Sequence, residues 1–126
     1  PISYQQYEGR NENYYGYVEP KKPIYTKPLY VLVNRWTGSM GEGMAIGFDG
    51  MKRATIVGTE MERLAGGMKT ISFKYHGYGF NISFEKTLHI DGSPREEFVP
   101  EAYVKPTQVQ NDEILNHALQ LINQAN

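Results

Sequence analysis

Residues 29–51 constrain this chain more than any other stretch. The run Tyr30–Val33 is short, apolar and rich in valine, the length and composition of a buried strand. A small-residue turn, Thr37-Gly38-Ser39, follows, and then Met40, Met44, Phe48 and Met51 recur at near-helical spacing. Strand, tight turn, serine and helix together hold a hydroxyl at the edge of a rigid sheet, beside the free N–H groups and positive dipole end of the helix. Those N–H groups can stabilise an oxyanion, the largest electrostatic need of acyl transfer. A purely structural reading fits the same residues. Ser39-Met40-Gly41-Glu42 is an S-x-x-E capping box, in which Ser39 caps the helix and Glu42 reaches back to the cap. The G-x-S-x-G pattern of a nucleophile elbow is not met, because Thr37 stands at its first glycine.

The chain around this stretch is 126 residues long, enough for one domain with a modest core. A net charge of −1 gives no argument for nucleic acid or an anionic membrane as partner. The absence of Cys excludes disulfides, thiolate catalysis and Cys-ligated metals. No apolar run approaches transmembrane length and no signal-peptide pattern opens the chain. The first residue is Pro1 rather than Met, which reads as a processed or truncated product.

Residues 1–27 read as an extended Tyr-rich arm, with Tyr4, Tyr7, Tyr14, Tyr15, Tyr17 and Tyr25. These rings either offer flat contacts to a carbohydrate or peptide, or pin the arm to the surface of the unit spanning 28–126. After the Ser39 helix, whose Gly43 and Gly47 suggest close backbone approach to a neighbour, Asp49-Gly50 ends the helix and 54–58 reads as a second buried strand. Strand–helix–strand indicates an α/β unit with a parallel pair. Glu60, Glu62 and Arg63 read as solvated, and Gly66-Gly67 as a tight loop whose backbone comes close to something. Alternation over 69–75 and at Phe80, Ile82 and Phe84, across His76-Gly77-Tyr78-Gly79, predicts a hairpin. Short strands are expected at 88–90 and 102–104, the first ended by the turn Asp91-Gly92-Ser93-Pro94. Ile114, Ala118, Leu121, Ile122 and Ala125 mark an amphipathic terminal helix started by Asn111 or Asp112.

His76, His89 and His117 share no metal-ligand spacing, so no metal is expected, and without a G-x-G-x-x-G or P-loop no cofactor is either. A nucleophilic Ser39 needs a base, and nothing near it in sequence supplies one. Lys69 and Lys52 are conceivable bases of undiagnostic spacing, with His89 a further residue to test. Glu96 and Glu97 either orient a histidine or face solvent.

Taken in order, Leu29-Tyr30-Val31-Leu32-Val33, Thr37-Gly38-Ser39-Met40-Gly41-Glu42, Thr55-Ile56-Val57-Gly58-Thr59, Gly66-Gly67, Asp91-Gly92-Ser93-Pro94-Arg95-Glu96 and the helix from Asp112 resemble the catalytic domain of the tail-specific (C-terminal processing) serine peptidases. That family includes tricorn protease and interphotoreceptor retinoid-binding protein. The resemblance covers about residues 28–125. It implies a ClpP/crotonase-like α/β core: a small mixed sheet, a nucleophile-bearing helix, a hairpin extension and a C-terminal helix. It implies Ser39 as nucleophile and the Met40 N–H as an oxyanion donor. The lysine-dyad branch places F-G-K-G after the V-G-T strand, where this chain has Arg63-Leu64-Ala65-Gly66-Gly67. The pattern is therefore closer to the tricorn branch, in which a histidine from an earlier segment is the base. Glu96 matches the glutamate that assists that histidine, with Glu97 its neighbour.

The expectation is thus the C-terminal portion of a serine endopeptidase, with its base and one oxyanion donor supplied by an upstream segment. Its partners would be a peptide or protein substrate and the rest of the catalytic domain, and its location extracytoplasmic. A non-catalytic peptide- or ligand-binding module that keeps the fold is the alternative, suggested by the missing base and by Gly41 where the family often has Ser or Ala.

Overall fold

The structure is a computed structural model that describes residues 4–7, 13–15, 22, 24–108 and 110–124. Strands β1 (Tyr4–Tyr7) and β2 (Asn13–Tyr15) come first, followed by β3 (Tyr30–Val33), helix α1 (Met40–Gly50) and β4 (Thr55–Gly58). Strands β5 (Met68–Ser72), β6 (Gly79–Ser83) and β7 (Glu85–Leu88), a short 3-10 turn over Arg95–Glu97, β8 (Ala102–Tyr103) and helix α2 (Glu113–Gln124) complete the order.

The expected strand–helix–strand unit is present. β3 and β4 are parallel, with Val31 opposite Ile56 and Val33 opposite Gly58, and β8 adds parallel to the other edge of β4. Alternation along β4 sorts side chains between two layers. Ile56 joins Val33, Ala45, Ile46 and Met61 in a core beneath α1, while Val57 joins Ile114 and Ala118 in a core beneath α2. A helix therefore covers each face of the small sheet, which is why both faces of a parallel strand such as Ile56-Val57 are apolar. The observed fold is mixed α/β, as the sequence indicated.

Of the near-helical series along α1 only Phe48 packs against the core. Met40, Met44 and Met51 are exposed, and the fully buried positions are Glu42, Ala45, Ile46 and Gly47. Small residues on the inner face let the helix lie close to the sheet, and the longer methionines are left outside. An added Cβ at Gly43 would meet nothing within 4 Å, so the close approach expected there does not occur. Gly66 behaves as expected: its Cβ would collide with the Glu85 carbonyl, and the adjoining backbone is tied by Thr87 N–H to the Ala65 carbonyl at 2.9 Å.

The hairpin forms with Ile71 opposite Phe80 and Ser72 opposite Gly79. The strand expected at 88–90 begins earlier, as β7, and leaves His89 beyond its end. β7 pairs antiparallel with β1, which pairs with β2, so residues from the expected arm form main-chain ladders. Tyr25 is held through its carbonyl, which accepts from Arg53 Nη2 at 2.6 Å. Most other residues of that arm, including Tyr17, lie outside the described residues, as does Ala125 at the end of the expected helix.

Gly58 closes β4 at φ 142°, and a Cβ there would strike the Val33 carbonyl across the parallel pair. Neither the backbone angle nor the neighbour can yield cheaply. Gly58→Ala is expected to destabilise the protein by about 3 kcal/mol, combining backbone strain with overpacking. Urea unfolding would show this as a lower midpoint at unchanged slope.

Candidate active site

Ser39 is the N-cap of α1, exposed, with φ 52° and ψ −115°. For an L-residue this lies outside the left-handed helical basin. Such conformations cost about 1–3 kcal/mol and persist only where the surroundings over-determine them. Here they do. The Thr37 N–H donates to the Asn34 carbonyl at 2.8 Å, and the Asn34 N–H to Thr37 Oγ1 at 3.1 Å. The Trp36 N–H donates to Asn34 Oδ1 at 2.9 Å, and the Glu62 N–H to the Thr37 carbonyl at 3.0 Å. Thr37, in the place of an elbow glycine, thus stitches the turn through both its hydroxyl and its carbonyl.

Glu42 fixes the next layer. It is 0% exposed, yet its carboxylate accepts the Ser39 N–H at 2.9 Å, the Arg63 N–H at 2.8 Å and the Leu64 N–H at 3.1 Å. Hydrogen bonds to a charged group contribute about 1.5–3 kcal/mol each, enough to outweigh the strain at Ser39. Arg95, also buried, completes the group: Nη2 stands 3.7 Å from Glu42 Oε2, Nε donates to the Leu64 carbonyl at 2.8 Å, and Nη1 donates to the Ser39 carbonyl at 3.2 Å. The reciprocal half of the capping box sets the Ser39 side chain towards the Glu42 N–H, without a side-chain cap hydrogen bond. The hydroxyl therefore remains exposed rather than consumed by the helix. Beside it the Met40 N–H makes no hydrogen bond among the described residues, and the Met40 side chain is 79% exposed. A free N–H in the first turn of a helix, next to an exposed hydroxyl, can receive a developing oxyanion.

Glu96 follows Arg95 in the 3-10 turn. Its carboxylate is three-quarters buried, with Oε1 3.8 Å from Lys86 Nζ and Oε2 buried with no hydrogen-bond partner among the described residues. Its carbonyl accepts from Arg63 Nε at 2.9 Å, so the turn is joined to the loop that feeds Glu42. Glu97 is exposed. Between the two carboxylates, Glu96 is the one held against the protein.

The candidate bases are elsewhere. His89 is buried at the far end of α1, with Nε2 3.0 Å from Asp49 Oδ2 and Nδ1 3.1 Å from Asp91 Oδ1, stacked on Phe98. Asp49 and Ser39 are separated by roughly 15 Å of helix axis, far beyond the reach of proton transfer. Lys52 is at the same far end, 3.6 Å from Asp49. Lys69 sits on the exposed hairpin opposite Ile82. Among the described residues no group of three or more His, Asp or Glu side chains could hold a metal, and no helix is long and apolar enough to cross a membrane. Arg95 belongs to this site although no motif or periodicity in the sequence marks it. Its only signal is position, directly after Asp91-Gly92-Ser93-Pro94, because an isolated arginine carries no periodicity.

The sequence model of peptidase family S41 matches residues 1–108. Among solved structures, a photosystem II D1 C-terminal processing protease is similar with a TM-score of 0.51 and 24% identity over 66% of this chain. The match covers 23% of that protease, so the chain spans under a quarter of its length. At this identity the likeness concerns the fold. No curated protein sequence matches.

Two outcomes follow from the site's electrostatics. Glu42→Ala strands three N–H groups and the buried Arg95 charge, and is expected to cost about 3–5 kcal/mol in chemical denaturation. At the other end of α1, the Ser93 hydroxyl and N–H donate to Asp91 Oδ1 at 2.7 and 2.8 Å and pull the Asp91 carboxyl down from 3.8 to about 2. A depressed carboxyl favours the fold above its unfolded value, and that contribution is lost as pH falls from about 4 towards 2. Ser93→Ala removes the stronger donor, so the Asp91 carboxyl should titrate closer to 3.8 when followed by NMR.

Proposed function

Because the chain belongs to peptidase family S41, we propose that it carries the nucleophile of a serine endopeptidase and that Ser39 is that nucleophile. The observation that carries this reading is the backbone of Ser39, φ 52° and ψ −115° at a strand-to-helix turn, on an exposed residue. A residue that only caps a helix has no need of such strain. A nucleophile does, since the sharp turn presents the hydroxyl at the surface and sets it beside the free Met40 N–H. The site also lies beyond the carboxyl ends of β3 and β4, the edge at which open α/β sheets bind ligands.

In this mechanism a base takes the Ser39 proton as Oγ attacks the scissile carbonyl carbon. The Met40 N–H, with a second donor from an upstream segment, holds the oxyanion. Collapse expels the amine, which takes the proton back from the base, and leaves an ester at Ser39. Water, deprotonated by the same base, then attacks the ester, and the acyl group leaves as a carboxylic acid while Ser39 Oγ takes the proton back from the base. We assign the base to a histidine from an upstream segment, and Glu96 to its orientation. The buried, unpartnered Glu96 Oε2 supports that role, since it is an acceptor with capacity for an imidazole N–H. Residues 28–126 are in this reading the C-terminal portion of the catalytic domain, behind the arm 1–27. The substrate is a peptide or protein, and the enzyme works outside the cytoplasm, as family resemblance implies.

The alternative of a binding module that keeps the fold is favoured by one observation: none of the three histidines, each among the described residues, is hydrogen-bonded or ion-paired to the Ser39 turn. One experiment separates the readings, fluorophosphonate labelling and peptide cleavage by three samples. The isolated 126-residue chain is expected to be inactive, a longer parent enzyme to label and cleave, and the parent with Ser39→Ala to do neither while remaining folded. Cleavage surviving in Ser39→Ala would end the assignment. A folded parent that never labels would favour the binding module.

A further inference from the structure

We propose that Arg95 is the positioning residue of this site: it holds Ser39 in its strained conformation without touching substrate. The inference rests on Ser39 being the nucleophile. At 5% exposure, with its donors turned inward, the guanidinium has no route to a bound peptide. What it reaches is the backbone of Ser39 itself. The two dihedral angles of that residue are set by what holds its N–H and its carbonyl. The N–H is held by Glu42 Oε2 at 2.9 Å, and the carbonyl by Arg95 Nη1 at 3.2 Å and by the Gly43 N–H at 3.1 Å. The Gly43 bond is the ordinary first bond of the helix, present at any capped terminus. Arg95 is the additional hold, brought from the 3-10 turn 56 residues further along the chain.

The same side chain governs the other side of the turn. Nε fixes the Leu64 carbonyl, and the adjacent Arg63 and Leu64 N–H groups hold Glu42 Oε1. Arg63 is itself at φ 67°. Two strained residues thus face one carboxylate, and one guanidinium touches the backbone on both sides of it. A planar fork of donors can make such divergent contacts at once, which an ammonium cannot. Loss of the fork leaves the Ser39 carbonyl to the Gly43 N–H alone, which lets the turn relax and the hydroxyl move. Misplacement of a reacting group by about 1 Å costs on the order of 100-fold in rate.

The test uses the full-length protein with Arg95→Lys and Arg95→Gln, read in two independent ways. Amide hydrogen exchange at Ser39, Arg63 and Leu64 should accelerate at least about tenfold in Arg95→Gln, while Ile56 and Val57 in β4 keep their protection. Fluorophosphonate labelling of Ser39 and kcat should fall roughly 100-fold in Arg95→Gln with KM unchanged, and Arg95→Lys, which retains the charge facing Glu42, should fall between it and wild type. Exchange and kcat that both stay at wild-type values would overturn the proposal. Loss of β4 protection in Arg95→Lys as well as Arg95→Gln would overturn it too, making Arg95 a general packing residue. If wild-type protein does not label at all, the peptidase reading fails by itself. Exchange then still decides the hold of Arg95 on the turn: local loosening supports it, and unchanged exchange overturns it.

Discussion

Glu42 brings a carboxylate into a place with no solvent contact, and the structure around Ser39 is arranged to accept it. Three backbone N–H groups and one buried guanidinium surround the charge. A buried ion of this kind is weak evidence of stability, because its desolvation offsets much of its attraction to a partner. Its effect here is on conformation. The three N–H groups come from two separate segments, and two of the three residues sit at positive φ. Neither segment would choose that backbone alone. The carboxylate makes it the cheaper arrangement, since any relaxation leaves a buried charge short of a donor.

This local constraint is seated on an ordinary frame. Helix α1 crosses from β3 to β4 and turns Ala45 and Ile46 to the sheet, so its first residue must lie beyond the carboxyl edge of the strands. Helix α2 closes the opposite face through Ile114 and Ala118. The 3-10 turn, anchored by the His89–Ser93 and Leu88–Pro94 pairings before it and by β8 after it, delivers Arg95 to the same edge. Packing decides where the elements stand, and the buried charge then decides the shape of the turn between them.

The two ends of α1 differ in kind. At the first, a carboxylate captures N–H groups and leaves a serine hydroxyl and the Met40 N–H available. At the last, His89 is enclosed by Asp49, Asp91 and Phe98, with both ring nitrogens engaged. An imidazole committed on both sides is a strut between the helix end and the Asp91-Gly92-Ser93-Pro94 turn. Its chemistry is spent on holding that turn, which in turn aims Arg95 and Glu96 at the other end.

The parallel pair, the helix between its strands, the hairpin and the terminal helix were legible in the sequence because each rests on a local period or a turn residue. Apolar runs of strand length, Ile71 and Phe80 about a Gly-rich turn, and the spacing of Ile114, Ala118 and Leu121 are short-range signals. The S-x-x-E segment likewise announced Ser39 as the start of a helix. Which face of that helix packs was not legible, because methionine spacing records period without direction. The joining of Glu42 to Arg63, Leu64 and Arg95 was also hidden, since it depends on segments 21 to 53 residues apart meeting at one point. Local sequence determined that a serine would stand at a strand-to-helix turn. Only the tertiary structure decided that the turn would be strained and the hydroxyl free, because a buried charge satisfied by distant donors has no signature in the residues beside it.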